Sequence, residues 1–372
     1  MTAPAWHTRS ELIAWVKRYG GGRFSLAASG IRPCTLAELG GSLEEIEING
    51  PSAYGYPPLQ RALAQKCGVP EERLVATVGC TMANHVAFAA ILHPGDHVAI
   101  EKPCYEPLPA LARHLGADVA FFDRRAEEGW AIDPQRVLSA CTPATRLIVI
   151  TNLHNPSGEM SSEAVLREIG EIARRIGARV LVDEVYLDMV EIEDGSYPVS
   201  ASRLGNEFVV TSSLTKAYGL NGLRCGWVIA EPDLASRMWQ VFDLFLSIPA
   251  HSAERLSVLA LSRLESVARR SRELLRANRA ALNAFFASRG DLEIDPPRFG
   301  TVAFPRWRGG DAERVCAVAR ESHEVPVVPG RLFGSPGHFR IGIGEEPSLV
   351  AEGLRRLGLA LDEAGRDMVP PR

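Results

Sequence analysis

Nowhere in the 372 residues does an apolar run approach the roughly eighteen residues that a membrane-spanning helix needs. The amino terminus has no basic stretch followed by an apolar core and a small-residue cleavage site. A protein that stays in the cytoplasm, without a membrane partner, is therefore expected. CxxC pairs are absent, and no Cys/His cluster has the spacing of a zinc site, so no metal is expected. The seven cysteines, at 34, 67, 80, 104, 141, 225 and 316, are odd in number and scattered, as reduced thiols would be. An excess of positive charge is missing too. With 41 Lys and Arg against 45 Asp and Glu the formal net charge is −4, which gives nucleic acid nothing broad to bind. Repeats, low-complexity tracts and flexible linkers are all lacking.

What is present is ordinary in bulk and specific in detail. Apolar residues at 46% and charged residues at 23% fit a globular chain with a substantial core, in one large or two moderate domains. Helical periodicity at 58–67, 82–92, 108–115 and 162–176 alternates with short β-rich runs at 74–78, 98–100, 119–122, 147–151, 180–182 and 208–211. Such alternation predicts an α/β fold whose central sheet is mostly parallel and covered by helices on both faces. Beyond residue 232 the texture changes to longer Arg- and Leu-rich helical segments, as at 253–286. Extended pieces at 301–305, 325–328 and 338–343 and a final helix near 347–361 complete a smaller α+β domain.

Four motifs fall at the carboxyl ends of predicted strands, where open α/β sheets bind ligands. Residues 77–81 place Gly79, Cys80 and Thr81 between a strand and a helix, where free amides and the helix dipole favour a phosphate. Residues 155–158 read Asn-Pro-Ser-Gly: a turn by composition, with Asn155 able to donate a hydrogen bond into a cleft. His154 beside it reads as a loop histidine rather than a catalyst. Asp183 ends an apolar strand and should lie in a low-dielectric crevice, where a carboxylate is costly without a cationic partner. An N-cap or surface carboxylate is the plainer alternative. The most specific motif is 212–227. Lys216 stands among small uncharged residues, and a desolvated amine of that kind can form an imine with an aldehyde. Ser213 and Arg224 flank it with anion-binding groups. Gly219, Gly222 and Gly226 would let a loop wrap the ligand.

In this order, with Tyr54, Tyr105 and Arg340, the motifs resemble those of the class I/II aminotransferases, pyridoxal-phosphate (PLP) enzymes of fold type I, over nearly the whole chain. The resemblance implies a large PLP-binding domain at 45–250 and a small domain made of 1–44 plus 251–372. It implies that Lys216 holds the cofactor as a Schiff base and shuttles the proton, and that Asp183 pairs with the ring nitrogen. Asn155 and Tyr186 would hydrogen-bond the phenolic oxygen, and Tyr105 would stack on the ring. Gly79, Cys80, Thr81, Ser213 and Arg224 would cradle the phosphate. Tyr54 would reach the phosphate of a partner subunit in a homodimer, although the short spacer after it leaves Tyr56 as a second choice. Arg340 would clamp the substrate α-carboxylate, and Gly30 would line the substrate site.

The implied reaction moves the amine of an L-amino acid to a 2-oxo acid. A lyase or cyclase on the same scaffold is the alternative, because Trp15, Tyr19, Ser29–Gly30, 301–305 and 328–334 are similar to stretches of the arginine-cyclising capreomycidine synthases. A third reading, the PLP-binding effector domain of a transcription regulator, lacks support in the absence of a basic helix-turn-helix module.

Overall fold

The computed structural model describes residues 9–42, 44, 46–190 and 197–366. Residues 1–8 of the expected small domain and residue 45, at the expected boundary, lie outside them. Seven strands form the main sheet: β1 (Leu74–Thr77), β2 (His97–Lys102), β3 (Asp118–Asp123), β4 (Thr145–Thr151), β5 (Arg179–Asp183), β6 (Phe208–Ser213) and β7 (Gly226–Ile229), in the spatial order β1-β7-β6-β5-β4-β2-β3. Neighbours from β6 to β3 run parallel, and only β7 is reversed, antiparallel to both β1 and β6.

The unbroken apolar run of β4 shows why the sheet must be covered twice. Ile148 and Ile150 join one buried core, and Leu147 and Val149 the other, so alternate side chains feed opposite faces. All four are fully buried, each contributing about 1.5–3 kcal/mol of hydrophobic stabilisation. One layer includes α2 (Pro57–Cys67), α5 (Pro134–Ala140) and α6 (Glu163–Ile176). The other is α3 (Cys80–Ile91), α4 (Pro107–His114) and α8 (Pro232–Asp243). Local sequence sets the ends of these helices. On α6 the Ser162 hydroxyl accepts from Val165 N, Leu166, Ile169, Ile172 and Ala173 form the buried stripe, and Gly177 closes the helix at φ 71°.

Strand β7 departs from the expectation that residues 219–226 form a ligand-wrapping loop. Gly226 begins a strand, and a Cβ there would lie 2.4 Å from the Gly79 carbonyl carbon. Its missing side chain serves close packing against the 77–81 turn rather than loop freedom. The Arg- and Leu-rich run at 253–286 forms two helices, α9 (His251–Ser262) and α10 (Leu264–Ala287), which meet at Arg263, whose guanidinium caps the Leu39 carbonyl.

The remaining elements are short strands β8 (Leu292–Glu293), β9 (Val302–Ala303), β10 (Arg306–Trp307), β11 (Val328–Pro329) and β12 (Phe339–Gly342), with α11 (Ala312–Glu321) and α12 (Pro347–Arg366). Strand β12 is central in an antiparallel β11-β12-β9 sheet. The amino-terminal segment joins this region: Leu26 N donates to Pro326 O, and Gly342 N donates to Leu26 O. Helix α1 (Glu11–Tyr19) packs Leu12 and Trp15 against Phe304, Leu332 and Phe333.

Register brings the motifs together. Thr77 and Ser213 both pair with Gly226, while Thr151 and Thr211 both pair with Asp183, so four strand ends share one edge of the sheet. Lys216, in the short helix α7 (Leu214–Tyr218), is the third residue past β6 and falls at that edge.

Candidate active site

At the foot of the cleft the Lys216 ammonium donates to Ser29 Oγ at 3.0 Å. Burial and then the nearby Arg340 charge bring its pKa down from the usual lysine range to about 8, against the pull of Asp183. The segment containing Ser29 is pressed onto the lysine. Ile31 N donates to Lys216 O, and a Cβ on Gly30 would sit 3.2 Å from Lys216 Cδ. Thr301 Oγ1 anchors the same segment through Ser29 O at 2.8 Å.

Asp183 is buried at the end of β5 and accepts only neutral donors: Cys80 Sγ at 3.4 Å, Val185 N at 3.1 Å and Asn84 Nδ2 at 2.9 Å. Burial raises its pKa, and these hydrogen bonds oppose the rise. Cys80 therefore contributes its thiol as well as a place at a helix start. Burial pushes up the Tyr105 and Tyr186 phenols, each also within the field of Asp183 and Arg340. Tyr186 is buried and also hydrogen-bonds Ser29, while Tyr105 is half-buried.

The anion cradle forms where β1 meets α3. Gly79 takes φ 93°, a region costly for other residues, and a Cβ there would lie 2.3 Å from an Arg224 guanidinium nitrogen. The first amides of α3, at Cys80 and Thr81, have no partner four residues back within the helix. Arg224 bonds the backbone carbonyls of Asn221 and Val78. Ser213, buried beside Gly226, caps α7 through Thr215 N. Gly79, Cys80, Thr81, Ser213 and Arg224 thus come together, and their amides, hydroxyls and guanidinium suit a phosphate.

Arg340 extends from β12 to within the field of Lys216. It is 3% exposed, yet its partners are carbonyl-type oxygens: Asn155 Oδ1 at 3.0 Å and Ala27 O at 3.0 Å. Its Nε has no hydrogen-bond partner, and its guanidinium lies 5.0 Å from the Phe333 ring centroid. Burial lowers its pKa. A buried cation held by neutral oxygens is arranged to receive a carboxylate. Because Asn155 Oδ1 accepts from Arg340, its Nδ2 is left to donate.

Tyr54 stands apart from this cluster, 59% exposed and edge-on to Trp239. Tyr56 instead packs on His251, and its backbone amide is held by Glu254.

Two supporting residues had no motif to announce them. Asn84 and Thr211 are single polar residues in apolar or small-residue settings, and Ser29, read only as part of a stretch similar to the capreomycidine synthases, is the one that meets Lys216. The four-residue spacing of Cys80 and Asn84 puts both on one face of α3, but only the fold shows what that face meets. A buried Glu101–Arg124 pair, 2.8 Å apart, receives both the amide and hydroxyl of Thr151, whose Oγ1 in turn accepts from Asn155 N. His154 is fully buried and bridges Ser157 and Pro103 O. Since a carbonyl can only accept, Nε2 carries the proton and Nδ1 accepts from the serine. Burial keeps this ring neutral, in keeping with a structural role.

The sequence profile of the family "Aminotransferase class I and II" matches residues 47–357. The chain belongs to that family. It is 29% identical to capreomycidine synthase of Streptomyces vinaceus over 96% of this chain and 95% of that protein. It is 27% identical to aspartate aminotransferase of Streptomyces avermitilis, covering 84% and 81%. A solved PLP-dependent aminotransferase from Streptococcus suis superposes with a TM-score of 0.88 at 26% identity, covering 98% and 99%. The fold is that of the fold type I PLP enzymes, and the chain is a PLP-dependent enzyme of the aminotransferase family. The residues present fit the cofactor: a half-buried lysine with a lowered pKa, a buried carboxylate without a cationic hydrogen-bond partner, and a glycine-lined anion cradle. Among the described residues no helix is long and apolar enough to cross a membrane, and no acid, Cys and His group is arranged for a metal. All seven cysteines are free.

Proposed function

We propose that Lys216 binds PLP and moves the substrate proton while Arg340 holds the substrate carboxylate, so that an L-amino acid gives its amine to a 2-oxo acid. The buried Arg340 guanidinium, held by Asn155 and Ala27 O rather than by a carboxylate, carries this reading. When bound, PLP supplies an aldehyde and an electron-withdrawing ring. The protein supplies the rest. Asp183 holds a proton at the ring nitrogen, Asn155 and Tyr186 donate to the phenolic oxygen, and Tyr105 flanks the ring. Gly79, Cys80, Thr81, Ser213 and Arg224 bind the phosphate, and Gly30 leaves room beside Lys216 for the substrate. Lys216, neutral above about pH 8, accepts the substrate proton at Nζ and returns it.

The same reading divides the chain into a large domain at 45–250 and a small one formed by 1–44 and 251–372. It makes the enzyme a cytoplasmic homodimer in which the exposed Tyr54 reaches the partner's phosphate, and the exposed Leu244, Phe245 and Ile248 are apolar surface that an interface would cover. A fully active monomer in sedimentation at assay concentration would refute the dimer.

A second reading, cyclisation of an amino acid, is favoured by one observation. Trp15, Phe304, Val328, Leu332 and Phe333, from the stretches similar to capreomycidine synthases, gather in one cluster with Tyr19 and Tyr105 at its edge. Mixing the PLP-loaded enzyme with single amino acids, without an oxo acid, separates the two. Transamination converts the cofactor to its amine form with one equivalent of 2-oxo acid released. A cyclase returns the cofactor unchanged and releases no oxo acid.

A further inference from the structure

Helix α3 does more than begin beneath the anion cradle. Cys80 and Asn84, four residues apart, lie on the same helix face and both point at Asp183. Cys80 and Val185 N donate to Oδ1, and Asn84 donates to Oδ2 at 2.9 Å. On its far side, Asn84 Oδ1 lies 2.6 Å from Thr211 Oγ1. Chemistry fixes the orientation of the amide. If it were flipped, its oxygen would face the carboxylate, acceptor against acceptor, so the NH2 must face Asp183 and the threonine hydroxyl must donate. Thr211, Asn84 and Asp183 are each at most 4% exposed and come from three elements, β6, α3 and β5. Thr211 is also the register partner of Asp183, so the hydroxyl cannot drift from the network without breaking the sheet pairing.

We propose that Asn84, locked by Thr211, is a positioning residue that holds the Asp183 carboxylate ionised and aimed at the cofactor's ring nitrogen. This rests on the PLP reading above. The donors are all neutral, which matters: a lysine or arginine in their place would cancel the charge that the ring nitrogen needs. Three hydrogen bonds also leave lone-pair capacity on Oδ2 for one further donor.

The test uses the full-length PLP-loaded enzyme and the variants Asn84→Leu, Thr211→Val and the pair combined, with folding checked by circular dichroism and Tm. Asn84→Leu is expected to weaken PLP binding by about tenfold, the scale of one charge-assisted hydrogen bond. It should change the absorbance spectrum of the bound cofactor and lower kcat, with KM for the amino acid nearly unchanged because Arg340 is untouched. Thr211→Val, close to isosteric and the milder variant should Asn84→Leu fold poorly, should shift the same readouts in the same direction by less. The double variant should lose clearly less than the product of the two single effects, because the threonine acts on Asp183 through the asparagine and through its contact with Cys80 rather than directly. A wild-type spectrum and PLP affinity in folded Asn84→Leu would overturn the proposal, as would effects of the two substitutions that multiply independently. Borohydride trapping of PLP on Lys216 in the unsubstituted enzyme keeps the outcomes apart: its failure removes the PLP reading, whereas unperturbed variants of a trappable enzyme remove only the relay.

Discussion

Two half-buried lysines, each near carboxylates, lie in this molecule, and they have been put to opposite uses. Lys66 pairs with Asp188 at 2.8 Å beside a cavity of about 570 Å³ that Glu184, Tyr218 and Trp227 also line. Burial alone would lower its pKa, but Asp188 and its neighbours raise it, and the amine stays a fixed cation. Lys216 contacts the Ser29 hydroxyl, lies in the field of Arg340, and falls to about 8. The acids follow the same division. Asp183 and Glu184 are consecutive, yet alternation along the chain turns one toward α3 and the other toward the cavity on the opposite sheet face. Asp183 is held by side-chain donors from a helix, whereas Glu184 caps the Ala201 amide. Burial alone does not make a reactive group; what matters is whether the partner neutralises the charge or leaves it available.

The largest expected effect breaks the comparison at the acids. Asp183→Ala should keep the fold and lose roughly a hundredfold or more in kcat, the scale of removing a preorganised charge at a reacting centre, while Glu184→Gln stays near wild type. Near-normal single-turnover kinetics in Asp183→Ala would contradict the assigned role. Next in size is Arg340→Lys, in which an ammonium cannot reproduce the guanidinium fork. The loss of charge-assisted bonds worth about 1.5–3 kcal/mol should cut kcat/KM by at least about tenfold, with PLP retention unchanged. Shedding of PLP, or intact turnover, would move the carboxylate clamp elsewhere.

The lysines themselves differ in pH response. Capture of PLP by the apoprotein needs a neutral amine, so its rate should rise with pH and level off above about 8. Replacing Arg340 by Gln removes a cation that disfavours the protonated amine, so the midpoint should move upward. A midpoint in the usual lysine range would mean that the amine is not desolvated. The last effect is on stability and leaves turnover unchanged: it concerns Glu184, which burial raises to about 7 from 4.5. The folded state then binds more protons than the unfolded one between those values. The stability contribution is therefore full below about pH 4.5 and lost as pH rises toward 7, by at most about 3 kcal/mol. Glu184→Gln should flatten the dependence of Tm on pH in that window, and an unchanged slope would place the titration elsewhere.

Much of the candidate site was legible because strand ends advertise themselves. Lys216 among small residues, Asp183 after an apolar strand and Gly79 before a helix each carry a local physical cost that a ligand would relieve. Sheet type was equally plain from runs such as 147–151. The reversed β7 was not, because its four residues sit inside the most glycine-rich motif and read as loop. Asn84 and Thr211 were invisible for a different reason: a buried hydrogen-bond relay depends on register between β5 and β6 and on a helix face, neither of which is local in sequence. A further signal lay in plain composition. Only four residues among the 41 basic ones are lysine, at 17, 66, 102 and 216, so arginine carries nearly all the positive charge.

That scarcity makes the decisive measurement simple. Borohydride reduction of the PLP-loaded enzyme fixes the cofactor to the amine that holds it, and peptide mapping then identifies which of the four lysines carries the adduct. The account predicts a single adduct on Lys216 and none on Lys66, whose amine stays protonated by Asp188. An adduct on Lys66, Lys17 or Lys102 in place of Lys216 would contradict it.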